Sequence, residues 1–124
     1  MKIERFEDIE SWKQARILMN MVYELTKNPS LQKDFGLKDQ MQRAATSVMA
    51  NIAEGFDGQS DTSFIQFLIY ARRSLAEVQS HLYVSLDQKY METDQFDGIY
   101  SKATEVKSLI SGFMRYLRKS KQKK

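Results

Sequence analysis

One predicted helix carries the polar side chains whose spacing is best suited to chemistry. Residues at three- and four-residue steps lie on one side of a helix, and polar residues of the following helix are placed to face them. The combined polar set is Gln40, Arg43, Ser47, Asn51, Glu54, Arg72, Ser74 and Glu77. Such a set can form a ligand site or active site. It can equally fix helix register or join subunits, with Arg43 and Arg72 matched to Glu54 and Glu77.

The composition of this polar set decides between the two interpretations. It contains no His and no Lys, so no side chain is available as the base that activates a nucleophile. The sequence therefore favours a structural polar network. It predicts no catalytic residue and no enzyme activity.

A second group of side chains suited to chemistry lies at the C-terminus. Residues 1–105 hold 12 Lys or Arg and 16 Asp or Glu, a net of −4, whereas residues 106–124 hold 7 Lys or Arg and no acid, a net of +7. The basic arm consists of Arg115, Arg118, Lys119, Lys121, Lys123 and Lys124. It is either a frayed, solvated terminus or a contact to an RNA backbone, because phosphate binding grows with the number of basic groups. No aromatic platform is expected beside it, so any binding should tolerate different sequences.

Metal and cofactor sites are not indicated. His81 is the only histidine and lies one turn from Glu77, but a di-iron bundle needs paired Glu-x-x-His motifs on two helices. A surface or interface histidine is favoured. The stretch at residues 55–60 lacks the Gly-Lys-Ser/Thr of a phosphate-binding loop. There is no cysteine for a disulfide or a thiolate ligand. We predict no cofactor and no metal.

The elements that position these groups are helices. A chain of 124 residues with one Pro and five Gly has few breaks and is the size of one domain. Apolar periodicity predicts helices at about 8–27, 37–54, 61–90 and 94–118, with 119–124 as a basic tail. Residues 31–36 are predicted to be a connector in which Phe35 folds back on the core. The predicted fold is all-α, an antiparallel up-down-up-down four-helix bundle over residues 1–118.

Local signals predict where these helices begin and end. Asp8, Ser60 or Asp61, and Thr93 are candidate N-caps. Pro29 ends the first helix, and Gly55 is suited to end the second in the left-handed conformation. The four core stripes are Ile9, Trp12, Ala15, Met19, Val22 and Thr26; Leu37, Met41, Ala44 or Ala45, Val48 and Ile52; Phe64, Leu68, Ala71, Leu75, Val78, Leu82 and Ser85; and Phe96, Ile99, Ala103, Val106, Ile110, Phe113 and Leu117.

Apolar residues beyond these stripes suggest a further interface. The third helix has a second stripe of Ile65, Ile69, Ala76 and Tyr83, and the first adds Leu18, Met21 and Leu25. A helix that is apolar on most faces is buried on most faces. The sequence favours a protein–protein surface. The alternative is a wider core stripe with scattered exposed side chains.

Several motifs along the chain resemble one family. They are Phe6, Ile9, Trp12 and Ala15; Phe35-Gly36-Leu37, Gln40, Arg43-Ala44-Ala45, Ser47-Val48 and Asn51-Ile52-Ala53-Glu54-Gly55; and Phe64, Phe67-Leu68, Ala71-Arg72, Ser74-Leu75 and Glu77. Over about residues 6–118 the chain resembles the 23S rRNA intervening-sequence proteins, also called four-helix-bundle proteins. It departs from their pattern at Arg73, where relatives usually have Gly, and at Asp57-Gly58, which replaces Gly-Arg.

The resemblance implies an antiparallel four-helix bundle that assembles as a ring of five subunits. Some relatives are encoded inside intervening sequences of 23S rRNA genes, and one serves a reverse transcriptase in diversity-generating retroelements, where it binds nucleic acid. No relative is a well-established enzyme. The resemblance implies a homo-oligomer, with RNA or a nucleic-acid-handling protein as further partner. The alternative is a protein-binding adaptor or scaffold whose basic arm only aids solubility.

The remaining expectations concern location. The longest apolar stretches are far shorter than a membrane span. The first eight residues are acidic and lack the apolar run of a signal peptide. We therefore expect a cytoplasmic protein with no membrane contact.

Overall fold

The structure is all-helical. The computed structural model describes residues 3–58 and 60–122, with the side chains of residues 121 and 122 excepted, and it contains no strand in that part of the chain. A 3-10 turn at Phe6–Asp8 precedes the helices. The helices are α1 at Glu10–Leu25, α2 at Pro29–Lys33, α3 at Phe35–Asp57, α4 at Asp61–Asp87 and α5 at Thr93–Gln122.

The start of α1 differs from the prediction. Asp8 does not cap the helix, because its carboxylate accepts the backbone N–H groups of Glu4 at 3.1 Å and Arg5 at 3.2 Å and so closes the preceding 3-10 turn. Ile9 is the residue before α1, and it offers no side-chain acceptor for the first N–H groups. The helix therefore begins two residues later than the sequence indicated.

The predicted connector after α1 is wrong, because it is largely helical. Asn28 accepts the N–H groups of Ser30 and Leu31, and Pro29 occupies the first helical position, which starts α2. Only Asp34 separates α2 from α3, and its carboxylate accepts the N–H of Leu37 at 3.2 Å. Leu31 is fully buried.

The prediction for Phe35 is also wrong. Phe35 is the first residue of α3, and it is 72% exposed instead of folded onto the core. The buried residue near this turn is Leu31 of α2.

The end of α3 contradicts the predicted role of Gly55. The helix continues through this glycine to Asp57, and no glycine of the described residues has a positive φ. A Cβ added to Gly55 would lie 2.6 Å from Cδ1 of Phe64 and 2.9 Å from Cβ of Phe67. Gly55 is therefore needed for the close approach of α3 and α4. Ser60 caps α4 by accepting the N–H of Ser63 at 3.0 Å, as predicted.

A left-handed residue ends α4. Lys89 has φ 64°, and the N–H of Tyr90 donates to the carbonyl of Ser85 at 2.9 Å. The Tyr90 hydroxyl then donates to the Asp34 carboxylate at 3.0 Å, which joins this turn to the start of α3. Thr93, predicted as a cap, is already the first residue of α5.

The four predicted stripes form most of the core. Every residue of the α4 stripe is buried, and the other three stripes are buried apart from Trp12, Met19, Leu37 and Phe113, which pack against the core while partly exposed. Helices α1 and α4 each pack against both α3 and α5. The result is four long helices around one core, with α2 as a short addition at one end.

Part of the apolar surplus belongs to this core. Leu18 and Leu25 are buried within the single chain, and Met21 packs against the core while partly exposed. They are not a free surface, because α1 has a neighbour on each of two sides and needs a wide apolar face. On α4, Ile65 and Ile69 also pack against the core, whereas Ala76 and Tyr83 are exposed.

Candidate nucleic-acid interface

The predicted polar set separates into an inner and an outer part. The inner part joins α3 to α4. The Ser74 hydroxyl donates to the Ser47 hydroxyl oxygen at 3.0 Å, and the Asn51 amide donates to the same oxygen at 3.0 Å and to the Ser47 carbonyl at 2.8 Å. Ser74 is 6% exposed. These three residues connect the two helices at a fixed register.

The outer part does not make the predicted ion pairs. Arg43 pairs with Asp39 one turn earlier, at 2.8 Å, and both side chains are mostly exposed. Among the described residues no ion pair joins Arg43 to Glu54 or Arg72 to Glu77, and both glutamates are exposed. Gln40 is likewise exposed. An exposed ion pair such as that of Arg43 with Asp39 contributes little to the stability of the fold.

Helix α4 makes polar contacts to α5 that the sequence did not predict. The Arg72 guanidinium donates to the Ser111 hydroxyl at 3.3 Å. Gln79 is buried, and its amide donates to Thr104 at 3.0 Å while its carbonyl accepts Lys107 at 3.1 Å. These contacts are hard to predict from the sequence, because Gln79 lies beside the apolar stripe of α4 and resembles a solvated residue.

The described part of the basic arm is helical and exposed. Helix α5 continues to Gln122, so the predicted tail begins as helix. Arg115, Arg118 and Lys119 are exposed on its last described turns. Cations near a helix C-terminus also interact favourably with the helix dipole. The side chain of Lys121 lies outside the described residues, as do Lys123 and Lys124 altogether.

The expectation that no aromatic ring accompanies the basic arm is wrong. Tyr116 lies between Arg115 and Lys119 in the sequence and is 57% exposed. Its ring is nearly parallel to that of Phe113, with 14° between the planes and 6.0 Å between the centroids. Phe113 in turn contacts Phe64 at 5.3 Å, which ties it to the core. An exposed aromatic ring beside cations suits nucleic acid, because bases stack on it while phosphates contact the charges.

The described residues include no group of three or more His, Asp or Glu side chains close enough together to hold a metal ion. His81 is partly buried on α4. Residues 55–57 are helical, so the glycine stretch is the end of α3 continued into a turn.

Comparison with known proteins identifies the family. The model of the 23S rRNA-intervening sequence protein family matches residues 7–112. The chain belongs to the 23S rRNA-intervening sequence protein family. The match includes the inner polar residues and ends before Tyr116 and the cations that flank it.

A solved structure agrees with this family. It is the crystal structure of a protein with unknown function from the S23 ribosomal protein family of Bacteroides thetaiotaomicron VPI-5482, which is similar to this chain with a TM-score of 0.78 and 26% identity. The alignment covers 84% of this chain and 97% of that one. No curated protein matches significantly. Within the residues that the structure describes, no helix is both long and apolar enough to cross a bilayer.

Proposed function

We propose that this member of the 23S rRNA-intervening sequence protein family is a non-enzymatic, homo-oligomeric four-helix bundle that binds nucleic acid, with structured RNA as the partner. The observation that carries the proposal is the group of exposed cations at the end of α5, Arg115, Arg118 and Lys119, beside the exposed ring of Tyr116. Three more lysines follow in the sequence. The proposed location is the cytoplasm.

Charge distribution supports this partner. The net charge of +7 over residues 106–124 lies next to a body of net −4. Binding to phosphates releases condensed counterions, so an arm of this kind gives affinity that depends steeply on salt. A closed ring repeats the arm in every subunit, and several weak contacts to one RNA then add up.

The proposed topology is up-down-up-down with antiparallel neighbours. Three contacts between α3 and α4 support it, because their register runs in opposite directions along the two helices: Gly55 lies against Phe64, Ser47 bonds to Ser74, and Asp34 bonds to Tyr90. The connections between long helices are short, which favours antiparallel neighbours.

The absence of enzyme activity is also part of the proposal. The inner polar residues bond to one another between α3 and α4, while Arg43 pairs with Asp39 and Arg72 donates to Ser111. Glu54 and Glu77 are exposed. The polar set therefore supplies no nucleophile paired with a base.

Truncation tests the role of the basic arm. Deleting residues 119–124 removes four lysines and spares Leu117, the last residue of α5 whose side chain is described as buried. The expected result is unchanged assembly and weaker binding to one structured RNA in a mobility-shift assay, with the loss larger at low salt. Equal affinity of the full and truncated proteins would mean that the arm has no part in binding.

A charge-matched pair of variants separates a local effect from a global one. The test variant replaces Arg115, Arg118 and Lys119 with Gln. The control replaces three exposed lysines elsewhere, namely Lys13, Lys27 and Lys33, with Gln. Both lose three charges, so only a local interface weakens the test variant more. Failure of the parent protein to shift the RNA at any salt concentration would contradict nucleic-acid binding and leave the protein-binding adaptor as the better function.

A further inference from the structure

A cleft opens where the start of α1 meets the end of α5. Its volume is about 280 Å³. Its walls are mainly apolar and include Ile3, Ile9, Ser11, Leu109, Phe113 and Tyr116. A small, largely apolar concavity with a few polar groups is the usual form of a site for a small planar ligand. The cleft lies at the same end of the bundle as the described part of the basic arm.

Aromatic and cationic groups lie on one side of this cleft. Phe113 and Tyr116 present nearly parallel rings, and Phe113 is held in place by its contact with Phe64. The Arg115 guanidinium folds back towards the cleft wall, since its Nη2 atom lies 3.6 Å from the position that a Cβ of Gly112 would occupy. Lys119 is one turn further along. The cleft therefore combines an aromatic wall with positive charge at its edge.

Two polar groups occupy the α1 side. Ser11 is 3% exposed, and its hydroxyl has no hydrogen-bond partner among the described residues. A buried hydroxyl without a partner is costly and reorients easily to meet a donor or an acceptor. Glu10 also lines the cleft, and its carboxylate accepts the Gln14 amide at 2.7 Å. Its negative charge disfavours an anionic group deep in the cleft.

We infer that this cleft binds one unpaired base of the nucleic acid. The base stacks against the rings of Phe113 and Tyr116, its edge meets the hydroxyl of Ser11, and its phosphates contact Arg115 and Lys119. This inference rests on the proposed nucleic-acid function and narrows it to strands with unpaired bases. A base fits the set of groups because it is planar, neutral and carries hydrogen-bonding edges, while its charge lies on the phosphates outside.

The test compares single-stranded and duplex RNA. Full-length protein is titrated with a labelled single strand that carries 2-aminopurine and with a fully paired duplex of equal length. The parent protein should prefer the single strand about tenfold, the size of one base–aromatic stack, and should change the 2-aminopurine fluorescence. Tyr116→Leu should remove that preference while the affinity for the duplex stays the same. Tyr23→Leu, which changes an exposed tyrosine of α1 outside the cleft lining, should keep the preference.

A second pair of variants fills the cleft. Gly112 lies on its wall, and the atom nearest to an added Cβ is Nη2 of the flexible Arg115 side chain at 3.6 Å, an ordinary contact distance, so Gly112→Leu should block the base without disturbing the fold. Gly98→Leu is the control, because Gly98 lies on the same helix, outside the cleft lining, with open space around its Cβ position. If Tyr116→Leu and Gly112→Leu both still preferred single strands, the inference would be wrong. Binding of the duplex by the parent protein would in that case still support the proposed function. A change in oligomeric mass of Gly112→Leu, measured by light scattering, would also overturn it, since the cleft would then be a subunit interface. If the parent protein bound neither the single strand nor the duplex, both the inference and the proposed function would be wrong.

Discussion

At the scale of single residues, two serines of α4 occupy similar buried positions with different partners. Ser74 donates to Ser47 on α3, whereas the fully buried hydroxyl of Ser85 has no hydrogen-bond partner among the described residues. Both belong to a helix whose buried face is otherwise largely apolar. A polar atom in such a position stabilises the fold only when it is bonded.

This difference predicts opposite behaviour of two alanine variants. Ser85→Ala should raise the free energy of unfolding by about 1 kcal/mol, because it removes an unsatisfied hydroxyl. Ser74→Ala loses a bond, so it should be less stable than Ser85→Ala by about 1–2 kcal/mol. Both changes gain the same helix propensity, and the comparison therefore isolates hydrogen bonding. The measurement is urea unfolding followed by circular dichroism. Equal stability of the two variants would mean that Ser85 has found a partner.

The bond between Tyr90 and Asp34 predicts a dependence on alkaline pH. The hydrogen bond to the Asp34 carboxylate, with desolvation and the carboxylate charge adding to it, raises the pKa of Tyr90 above its usual 10.0. A raised pKa in the folded state gives stability that is fully present below the unfolded pKa and is lost as the pH rises through the folded one. Tyr90→Phe should therefore be less stable than the parent below pH 10, and the difference should shrink at higher pH. Parallel stability curves for the two proteins would contradict this role.

At the scale of helices, glycines in α3 and α5 have different surroundings. Gly55 allows α3 and α4 to approach closely at Phe64 and Phe67, while Gly98 on α5 has no atom within 4 Å of the position of a Cβ. The conformational cost of glycine in a helix applies to both, but only Gly55 is required by packing. This requirement also explains why a glycine is accommodated inside α3, near the residue where the sequence suggested an end.

The two glycines predict alanine effects of opposite sign. Gly55→Ala should lower the free energy of unfolding by about 1–3 kcal/mol, because the new methyl group forces α3 and α4 apart. Gly98→Ala should raise it by about 0.5–1 kcal/mol through helix propensity alone. Thermal unfolding of both variants is the measurement. A stabilised Gly55→Ala would show that the two helices can separate at no cost.

At the scale of the whole molecule, we propose the exposed remainder of the second α4 stripe as the surface for assembly. Ile65 and Ile69 pack against the core of the same chain, so replacing them would disturb the fold as well as an interface. Ala76 and Tyr83 are both exposed, but the Tyr83 ring lies 4.9 Å from that of the buried Phe96, so Ala76 is the residue that can be changed without that ambiguity.

Replacement of Ala76 tests this surface. The parent protein should have several times the 14.5 kDa mass of one chain by light scattering, and Ala76→Arg should lower the mass while the helical content is kept. A charged side chain without a partner is costly at the centre of an interface. Ala50→Arg is the matched control on α3, since Ala50 is also exposed. A parent protein that is a monomer at micromolar concentration would contradict the assembly itself. An effect of Ala50→Arg alone would move the interface to α3.

The sequence alone determined the long helices and their buried faces. Periodicity placed Leu68, Leu75 and Leu82 in the core, since apolar residues one or two turns apart must face the same way whatever the neighbouring helix is. Turn chemistry also limited the cap of α4 to Ser60 or Asp61, because a capping side chain bonds to a backbone group only a few residues away, as Ser60 does to Ser63. Such local rules need no knowledge of the rest of the chain.

Only the tertiary structure decided which groups meet across helices. Arg72 of α4 donates to Ser111 of α5 instead of pairing with Glu77, and Phe35 is exposed while the nearby Leu31 is fully buried. Gly55 continues a helix because α4 approaches it, a contact that helical spacing within α3 cannot show. The cleft beside Tyr116 depends on the start of α1 and the end of α5, which lie almost a full chain length apart in the sequence. The relative positions of groups on different helices follow from how the whole core packs, and a local sequence pattern cannot predict them.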